Sequence, residues 1–316
     1  MGRVNELRLI ARVAQMYHIE GRRQAEIAES LRMSQATVSR MLKRAEQEDI
    51  VRTTIIPPQG TFAELETALR ERYGLTEAIV VDCSEDRDGA IMARIGEAAA
   101  HFLEVTLQPG EVIGVSSWSQ TILRMVDNIH PLKAAKAKYI VQMLGGMGDA
   151  SVQTHATQLI ARLAKLTGGE ARLLLVQGVA SSREAKLIML ADPAVRETMN
   201  LFDRLTLAIV GIGAVEPSEL LARSGNVFSK HELAQLDEAG AVGELSFRFF
   251  DKEGRLVESP LNERVLGISL DDLKKADRVM ALAGGEAKTA AIAGALRLGL
   301  IDVLVTDKFT AARLTE

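Results

Sequence analysis

The chain has 316 residues, 47% of them apolar and 25% charged, which excludes an intrinsically disordered protein and fits one small domain plus a larger one. No apolar run approaches the roughly 18 residues of a membrane span, and the single cysteine, Cys83, excludes an intrachain disulfide; we expect a cytoplasmic protein without a membrane partner. The net charge is −4, but residues 1–60 hold 10 Lys/Arg against 7 Asp/Glu, which concentrates positive charge at the N-terminal end.

Three short helices are predicted at that end of the chain. Asn5–Tyr17, Arg23–Leu31 and Gln35–Gln47 each place their apolar residues at helical spacing. Ser34 is a good N-cap for the third helix. The second and third helices meet across Arg32-Met33-Ser34, which is typical of a helix-turn-helix DNA-binding module.

The outward face of the third helix carries the DNA-binding prediction. Early positions of a recognition helix point at base edges, and Gln35 and Arg40 have the donors and acceptors for base readout. Short polar and cationic side chains on the same face suit phosphate oxygens. The predicted phosphate contacts are Ser34, Thr37, Ser39, Lys43 and Arg44. The alternative is a small helical bundle with a solvated basic face, which explains the Ser-Arg and Lys-Arg pairs less well.

A proline-rich boundary follows the helical module. Val51–Ile56 is β-rich and predicts a wing or an exit strand, and Pro57-Pro58-Gln59-Gly60 can continue neither a helix nor a strand. We therefore expect a DNA-binding domain at residues 1–56 and an effector-binding domain at residues 57–316. Phe62–Tyr73 predicts a helix whose near-heptad apolar stripe either forms a dimer seam or packs on its own domain.

The larger domain alternates nearly all-apolar strands with helices, which predicts a doubly wound, mostly parallel α/β sheet covered on both faces. The candidate strands are Ala78–Val81, Val112–Val115, Tyr139–Leu144, Ala171–Val176, Leu205–Val210, Arg278–Ala283 and Val303–Thr306. The candidate helices are Ala90–Val105, Gln153–Thr167, Arg183–Leu190 and Ala287–Leu298. Glu244–Phe250 reads as one further strand before a hairpin turn at residues 251–254, a small antiparallel excursion.

Polar and glycine-rich segments follow several of these strands. Ligands bind at the carboxyl ends of parallel strands, so these segments predict a ligand pocket. Its candidate residues are Ser116, Ser117, Ser119, Gln120, Thr121, Gly146, Gly148, Gly213, Glu244 and Lys288. The serine and threonine hydroxyls, together with the start of a helix, are suited to bind a phosphate. Lys288 could pair with an anionic group, and Glu244 could accept hydrogen bonds from the hydroxyls of a polyol. Each of these residues also has a purely structural explanation: the glycines could serve turns, Lys288 could be an exposed helix lysine, and Glu244 could be a solvated strand carboxylate.

Several segments resemble one family. QAEIAESLRMSQATVSRMLKRAEQEDIV is similar to the DNA-binding segment of the SorC family of sugar-responsive bacterial regulators. GAVGELSFRFFDKEG, VGIG and VMALAGGEAKTAAIAGALRLGLIDVLVTDKFTAARL resemble its sensor domain. Within the family the chain most resembles regulators of erythritol catabolism. The resemblance implies a winged helix-turn-helix, a sensor similar in fold to sugar-phosphate isomerases and deaminases, a phosphorylated sugar ligand, and a dimer or tetramer.

The resemblance has one departure and leaves one alternative open. The family often has a Gly-Trp-Gly-type loop where this chain has Ser116–Thr121, so Trp118 either lines the pocket or is structural. The alternative function is a sugar-phosphate isomerase or deaminase with an accessory DNA-binding module. Gly211–Pro217 lacks the histidine and aspartate of such deaminases, the five histidines have no metal-ligand spacing, and no Walker-type phosphate loop is present. We therefore predict a repressor of a carbohydrate or polyol operon, with no enzymatic activity and no cofactor.

Overall fold

In the computed structural model, which describes residues 2–51, 58, 60–133, 135–146, 150–216 and 228–316, the chain divides into two units. The first unit is Met1–Pro58 and the second is Gln59–Glu316. Residues 52–57 lie outside the described residues, and with them almost all of the predicted wing.

The first unit consists, in its described part, of three helices around a small apolar core. The helices are α1 (Gly2–His18), α2 (Gln24–Ser30) and α3 (Gln35–Gln47). The three predicted helices are confirmed. The core forms where the apolar stripes of the helices meet, and its fully buried side chains include Ile10, Val13, Ile27, Val38 and Ala45. Burial of these stripes leaves the polar faces of the helices to solvent.

The second unit is built on a seven-stranded parallel sheet. Its strands are β1 (Glu77–Val81), β2 (Val112–Val115), β3 (Tyr139–Gln142), β4 (Glu170–Arg172), β5 (Leu207–Gly211), β8 (Arg278–Leu282) and β9 (Val303–Asp307). The spatial order is β1-β9-β8-β5-β2-β3-β4. All seven predicted strands are confirmed, although β4, an edge strand, is only three residues long.

Helices cover both faces of this sheet. They are α4 (Ala63–Tyr73), α5 (Asp88–Thr106), α6 (Gln120–Asn128), α7 (Ala150–Thr167), α8 (Arg183–Leu190), α9 (Pro193–Met199), α10 (Lys230–Glu238), α11 (Leu270–Leu273), α12 (Thr289–Arg297) and α13 (Lys308–Thr315). Leu207 packs into the core shared with α5, α6 and α7, whereas its neighbour Ala208 packs into the core shared with α4, α12 and α13. Because successive strand residues enter opposite cores, the sheet is doubly wound as predicted.

The strand order places a crevice at the centre of the sheet. From β2 the chain moves to β3 and β4 on one side, whereas β5, β8 and β9 add on the other side. β2 and β5 are direct neighbours, with Ile113 opposite Leu207 and Val115 opposite Ile209. In an open α/β sheet, the loops after two such strands diverge and leave a crevice at their carboxyl ends. This topological switch point is where a ligand site is expected.

The apolar stripe of α4 packs on its own domain. Leu69 is fully buried, and Phe62, Leu65 and Tyr73 pack against the same core. The Tyr73 hydroxyl donates a hydrogen bond to the carbonyl oxygen of Leu314 at 3.1 Å. Of the two interpretations of this stripe, the geometry therefore agrees with packing on the domain rather than with a dimer seam.

The segment predicted as a single strand at Glu244–Phe250 is instead a hairpin. β6 (Ala241–Leu245) and β7 (Arg248–Asp251) pair antiparallel, so the prediction of one strand was wrong and that of an antiparallel excursion is confirmed. Ser246 and Phe247 form the turn, with φ angles of 50° and 63°. Two positive φ angles match the right-handed twist of a two-residue hairpin, but Asn and Gly usually occupy them. The sequence lacks that signal, which is why the turn was missed.

Candidate functional site

The start of α3 is organised by its two hydroxyl side chains. Ser34 caps the helix, because its Oγ accepts a hydrogen bond from the Thr37 amide at 3.2 Å. The two hydroxyl oxygens also lie within hydrogen-bond distance of each other, at 2.8 Å. Such a cap fixes the first turn of the helix, which is the part that would approach base edges.

The residues of α3 that are predicted to contact DNA differ in their solvent exposure and in their side-chain contacts. Gln35, Ser39, Arg40 and Lys43 are exposed, as the prediction requires. Arg40 folds back along the helix, and its Nη2 lies 3.4 Å from the Thr37 hydroxyl.

Arg44 behaves differently from these exposed residues. Its guanidinium forms an ion pair with Glu6 of α1 at 2.5 Å and a longer one with Glu48 at 3.5 Å. These carboxylates raise the pKa of Arg44 and hold the side chain against α1. Arg44 therefore joins two helices of the unit, a role that the sequence prediction did not include.

The second unit contains a cavity of about 350 Å³ at the switch point of its sheet. Its wall is formed by the segments that follow β2, β3, β5 and β8, by the first two turns of α5 and by the β6–β7 hairpin. This volume falls within the range of small-molecule sites. The cavity therefore lies where both the sequence and the topology place a ligand.

The loop after β2 contributes hydroxyl groups and the start of α6. Ser119 caps α6 by accepting a hydrogen bond from the Ile122 amide at 3.4 Å. A Cβ atom at Gly211, on the neighbouring strand, would lie only 2.8 Å from the Ser119 Oγ, so this close approach requires glycine. Ser116 Oγ lies 3.0 Å from Ser246 Oγ, which joins the loop to the hairpin. Hydroxyls and first-turn amides at a helix N-terminus can bind an anion.

Glu244 is a buried carboxylate in the cavity wall. Its Oε2 accepts a hydrogen bond from the Phe247 amide at 2.8 Å, across the tight turn of the hairpin. Its backbone pairs with Gly213 in both directions, at 3.1 and 2.9 Å. A Cβ atom at Gly213 would collide with Glu244 Oε1, so only glycine leaves room for this carboxylate. Burial raises the pKa of Glu244 to about 6, although Lys288 nearby opposes the shift.

Lys288 is the cationic group of the described cavity wall. It lies in the turn before α12 and is half-buried, and its ammonium group makes no hydrogen bond or ion pair with any described residue. Burial lowers its pKa, while Glu244 and Asp88 act in the opposite direction. The turn itself is anchored, because the Gly285 amide donates to Thr310 Oγ1 at 2.8 Å and to Asp307 Oδ2 at 3.2 Å. A fixed loop thus presents an ammonium group that has no partner among the described side chains.

The structure brings together most of the predicted pocket residues. The predicted residues that line the cavity are Ser116, Ser119, Gln120, Thr121, Gly213, Glu244 and Lys288. Ser117 and Gly146 do not line it: the Ser117 hydroxyl is buried without a hydrogen-bond partner among the described residues, and the Gly146 amide donates to the carbonyl of Val176 at 2.8 Å. Gly148 lies outside the described residues. Ser117 lies in the turn between β2 and α6, where its side chain is directed away from the cavity.

Other wall residues were missed by the sequence reasoning. They are Asp88, Met92, Leu144, Gly211, Ile212, Ala214, Glu216 and Ser246. Asp88 begins the helix after β1, so the rule about strand ends could have found it. Ser246 gave no signal, because its position appeared to be inside a strand. Trp118 does line the cavity, and its indole Nε1 donates to the carbonyl of Gly145 at 3.2 Å, so it is both structural and close to the site.

Neither a metal site nor a membrane-spanning element is found in the part of the chain that the structure describes. Its His, Cys, Asp and Glu side chains form no cluster of three that could hold a metal ion. None of its helices combines the length and the apolar character that crossing a bilayer requires. The polar groups in the described wall of the cavity are hydroxyl, amide, carboxylate and ammonium groups.

Comparison with known proteins finds transcriptional regulators that are similar to this chain over almost its whole length. Residues 58–316 match a family model described as a putative sugar-binding domain. The deoxyribonucleoside regulator of Bacillus subtilis is 31% identical over 96% of this chain and 96% of its own length. The erythritol catabolism regulatory protein of Brucella abortus is 29% identical over 97% and 96%, respectively. Identities this similar do not single out one sugar.

A solved structure extends the similarity to the whole fold. The full-length sorbitol operon regulator SorC from Klebsiella pneumoniae superimposes with a TM-score of 0.74 at 26% identity. The match covers 98% of this chain and 99% of that protein. The similarity therefore spans the helical unit as well as the α/β unit.

Proposed function

The chain belongs to the SorC family of bacterial transcriptional regulators, and from that premise we propose that it binds operator DNA through α3 and a phosphorylated sugar or polyol in the cavity. Occupancy of the cavity would change the affinity for the operator. We further propose that it acts as a cytoplasmic homo-oligomer, dimeric or tetrameric, and represses a carbohydrate or polyol operon, erythritol catabolism being one candidate.

The exposed polar face of α3 supports the DNA-binding part of the proposal. Gln35 and Arg40 are the proposed base-reading residues, since both are exposed near the start of the capped helix. The proposed phosphate contacts are Ser34, Thr37, Ser39 and Lys43, with Arg44 contributing a partly neutralised charge. Two such helices in an oligomer would match a pseudo-palindromic operator.

The position of the cavity is the main observation that supports the ligand-binding part of the proposal. Seven predicted residues from four separate segments converge on the switch point of the sheet, and Lys288 and Glu244 both line the wall. We assign the anionic group of the ligand to Lys288 and the first turn of α6, and its hydroxyls to Glu244 and Ser116. A ligand shifts DNA affinity only if it binds one conformational state better than the other.

The test is a DNA-binding titration with and without candidate ligands. Full-length protein is titrated into fluorescent DNA from the region upstream of its own operon, and anisotropy is read with phosphorylated sugars and four- to six-carbon polyols at millimolar concentration. We expect at least one compound to change the operator affinity tenfold or more and to stabilise the protein in thermal unfolding. Specific DNA binding that no compound alters would overturn the effector assignment.

The catalytic alternative has one observation in its favour. Glu244, with a pKa near 6, and Lys288, with a lowered pKa, both line the cavity, and isomerases use such acid and base groups. The named relatives are nevertheless regulators. Chromatography of the sugar phosphates recovered from the binding assay would reveal any conversion, and we expect none.

A further inference from the structure

One oxygen of the Glu244 carboxylate has no hydrogen-bond donor in the described part of the chain. The side chain is only 8% exposed and lines the cavity. Oε2 accepts the Phe247 amide, whereas Oε1 lies against Gly213, a residue of the same wall. Oε1 faces the cavity, so a ligand that displaces solvent from it must supply a donor, because an acceptor then left without one costs free energy. Here the donor can come from a molecule that enters the cavity.

The neighbours of Glu244 favour a hydroxyl group as that donor. The Ser116 and Ser246 hydroxyls lie 3.0 Å apart, so only one of their two protons is used between them. Asp88 and Glu216 add two more carboxylates to the wall, against the single ammonium group of Lys288 among the described residues. A second anionic group on the ligand would be repelled here, whereas a neutral O–H group satisfies Oε1 without adding charge.

The hairpin holds Glu244 in place before any ligand arrives. Ser246 and Phe247 adopt left-handed backbone conformations that are costly for residues other than glycine. The turn is stabilised by the Phe247 amide hydrogen bond to Glu244 and by edge-to-face packing of the Phe247 ring on Phe228, at 4.9 Å between centroids. Little side-chain freedom is therefore lost when a ligand binds to this carboxylate.

We propose that Glu244 determines ligand specificity by accepting a hydrogen bond from a ligand hydroxyl, so that the cavity selects a hydroxylated sugar or polyol over the deoxy analogue that lacks this group. This inference rests on the proposed ligand-binding function and narrows its ligand class. A deoxy ligand would close the cavity over a carboxylate oxygen that has no donor. A site built to bond a hydroxyl rejects the analogue lacking it far more strongly than an apolar pocket rejects a missing methylene.

The experiment compares matched pairs of probes that differ by one hydroxyl. Ribose 5-phosphate is paired with 2-deoxyribose 5-phosphate, and glucose 6-phosphate with its 2-deoxy and 3-deoxy analogues. Binding to the full-length protein is followed by the fluorescence of Trp118, the only tryptophan, which lines the cavity. We expect at least one hydroxylated probe to bind tenfold to a hundredfold more tightly than its deoxy partner, as a hydrogen bond to a charged group requires.

Two variants and a control connect this preference to Glu244. Glu244→Leu should reduce the ratio between the paired probes to about twofold or less. Glu244→Gln keeps the shape but loses the charge, so it should give an intermediate ratio and remains informative if the leucine variant does not fold. Glu238→Gln, an exposed glutamate at the end of α10, should leave the ratio unchanged.

The outcomes separate this inference from the proposed function. If hydroxylated and deoxy probes bind the wild-type protein equally, or if both Glu244 variants keep the wild-type ratio, the specificity role is wrong although the cavity still binds sugar phosphates. If none of the probes binds a protein that still recognises operator DNA, the proposed effector class fails, and this inference fails with it.

Discussion

The exposed face of α3 and the wall of the cavity are both polar, yet they hold their charged groups in opposite ways. On α3, Arg40 and Lys43 are exposed on the surface of one helix, whereas Arg44 is held by carboxylates. In the cavity, Glu244 is buried, its carboxylate accepts a hydrogen bond from the Phe247 amide, and its backbone pairs with Gly213 of a separate segment. The first surface can adapt to a polyanion, whereas the second is shaped before its ligand arrives.

The largest effect that would test this contrast is expected from Gly213→Ala. The added Cβ would collide with Glu244 Oε1, so the carboxylate must leave its position. We expect ligand affinity to fall about a hundredfold or more while operator affinity stays unchanged. Isothermal titration with the best ligand and anisotropy with DNA measure the two quantities.

Gly89→Ala is the matched control for this variant, because a Cβ atom there would meet open space. Ligand affinity in Gly213→Ala within threefold of that in Gly89→Ala would contradict the rigid description of the cavity wall.

A second test concerns the buried guanidinium that fixes the hairpin. Arg248 donates hydrogen bonds to the carbonyls of Ile268, Asn262 and Gly267 at 3.1, 3.2 and 3.4 Å. Burial lowers the pKa of Arg248, and the charge of Asp272 acts in the opposite direction. Arg248→Met should lower the free energy of unfolding by about 2–4 kcal/mol, because buried carbonyls lose their donors.

Arg255→Met, at the exposed end of the same hairpin, is the comparison for this substitution. Urea denaturation measures both variants, and equal losses would mean that burial of Arg248 contributes nothing.

The contrast between the face of α3 and the wall of the cavity also explains which features could be predicted from the sequence. The face of α3 is local, so helical spacing over thirteen residues located Val38, Leu42 and Ala45 inside and Arg40 and Lys43 outside. The strands were found from their apolar runs. Their order was not, because pairing of β1 with β9 joins segments more than two hundred residues apart.

In the cavity wall, the sequence predicted mainly those residues that directly follow a strand. Gly213 and Lys288 follow strands, and the rule about carboxyl ends found them. Ser246 was missed because a Ser-Phe turn lacks the Asn-Gly signal of a hairpin. Ser117 lies outside the cavity wall, and the sequence of a loop does not indicate the direction of each hydroxyl. Contacts that depend on two distant segments required the structure.

On the DNA-binding side, the largest effect is expected at Arg40. Arg40→Ala should weaken operator binding about 10- to 100-fold, or roughly 1–3 kcal/mol, and relax preference at one base position. Affinity for an unrelated duplex should change much less, since base contacts carry the specificity. Anisotropy titrations with operator and scrambled DNA measure both. Equal weakening on the two duplexes would identify Arg40 as a phosphate contact instead.

A smaller effect should appear as a dependence of stability on pH in the cavity. Burial raises the pKa of Glu244 from 4.5 to about 6 in the folded protein, despite the opposing charge of Lys288. As pH rises from about 4.5 to about 6, the unfolded chain loses this proton first, so the folded state loses stability across that window. The total is about 2 kcal/mol.

Glu244→Gln removes this titration. The variant should therefore gain about 2 kcal/mol relative to wild type between pH 4.5 and pH 7, measured by denaturation at each pH. A difference that stays constant over this range would mean that Glu244 is not desolvated in solution.

The smallest effect separates two neighbouring cations on α3. Lys43 is exposed and carries a free charge, whereas Arg44 is already paired with Glu6 and Glu48. A phosphate contact releases counterions, so Lys43→Gln should reduce the salt dependence of operator affinity by about one unit of slope. Arg44→Gln should reduce it by less, because its carboxylate partners already neutralise much of that charge. Titrations between 50 and 200 mM salt measure the slopes. If Arg44→Gln lowers the slope as much as Lys43→Gln does, Arg44 leaves Glu6 when DNA binds, and the face of α3 is even more adaptable than its ion pairs indicate.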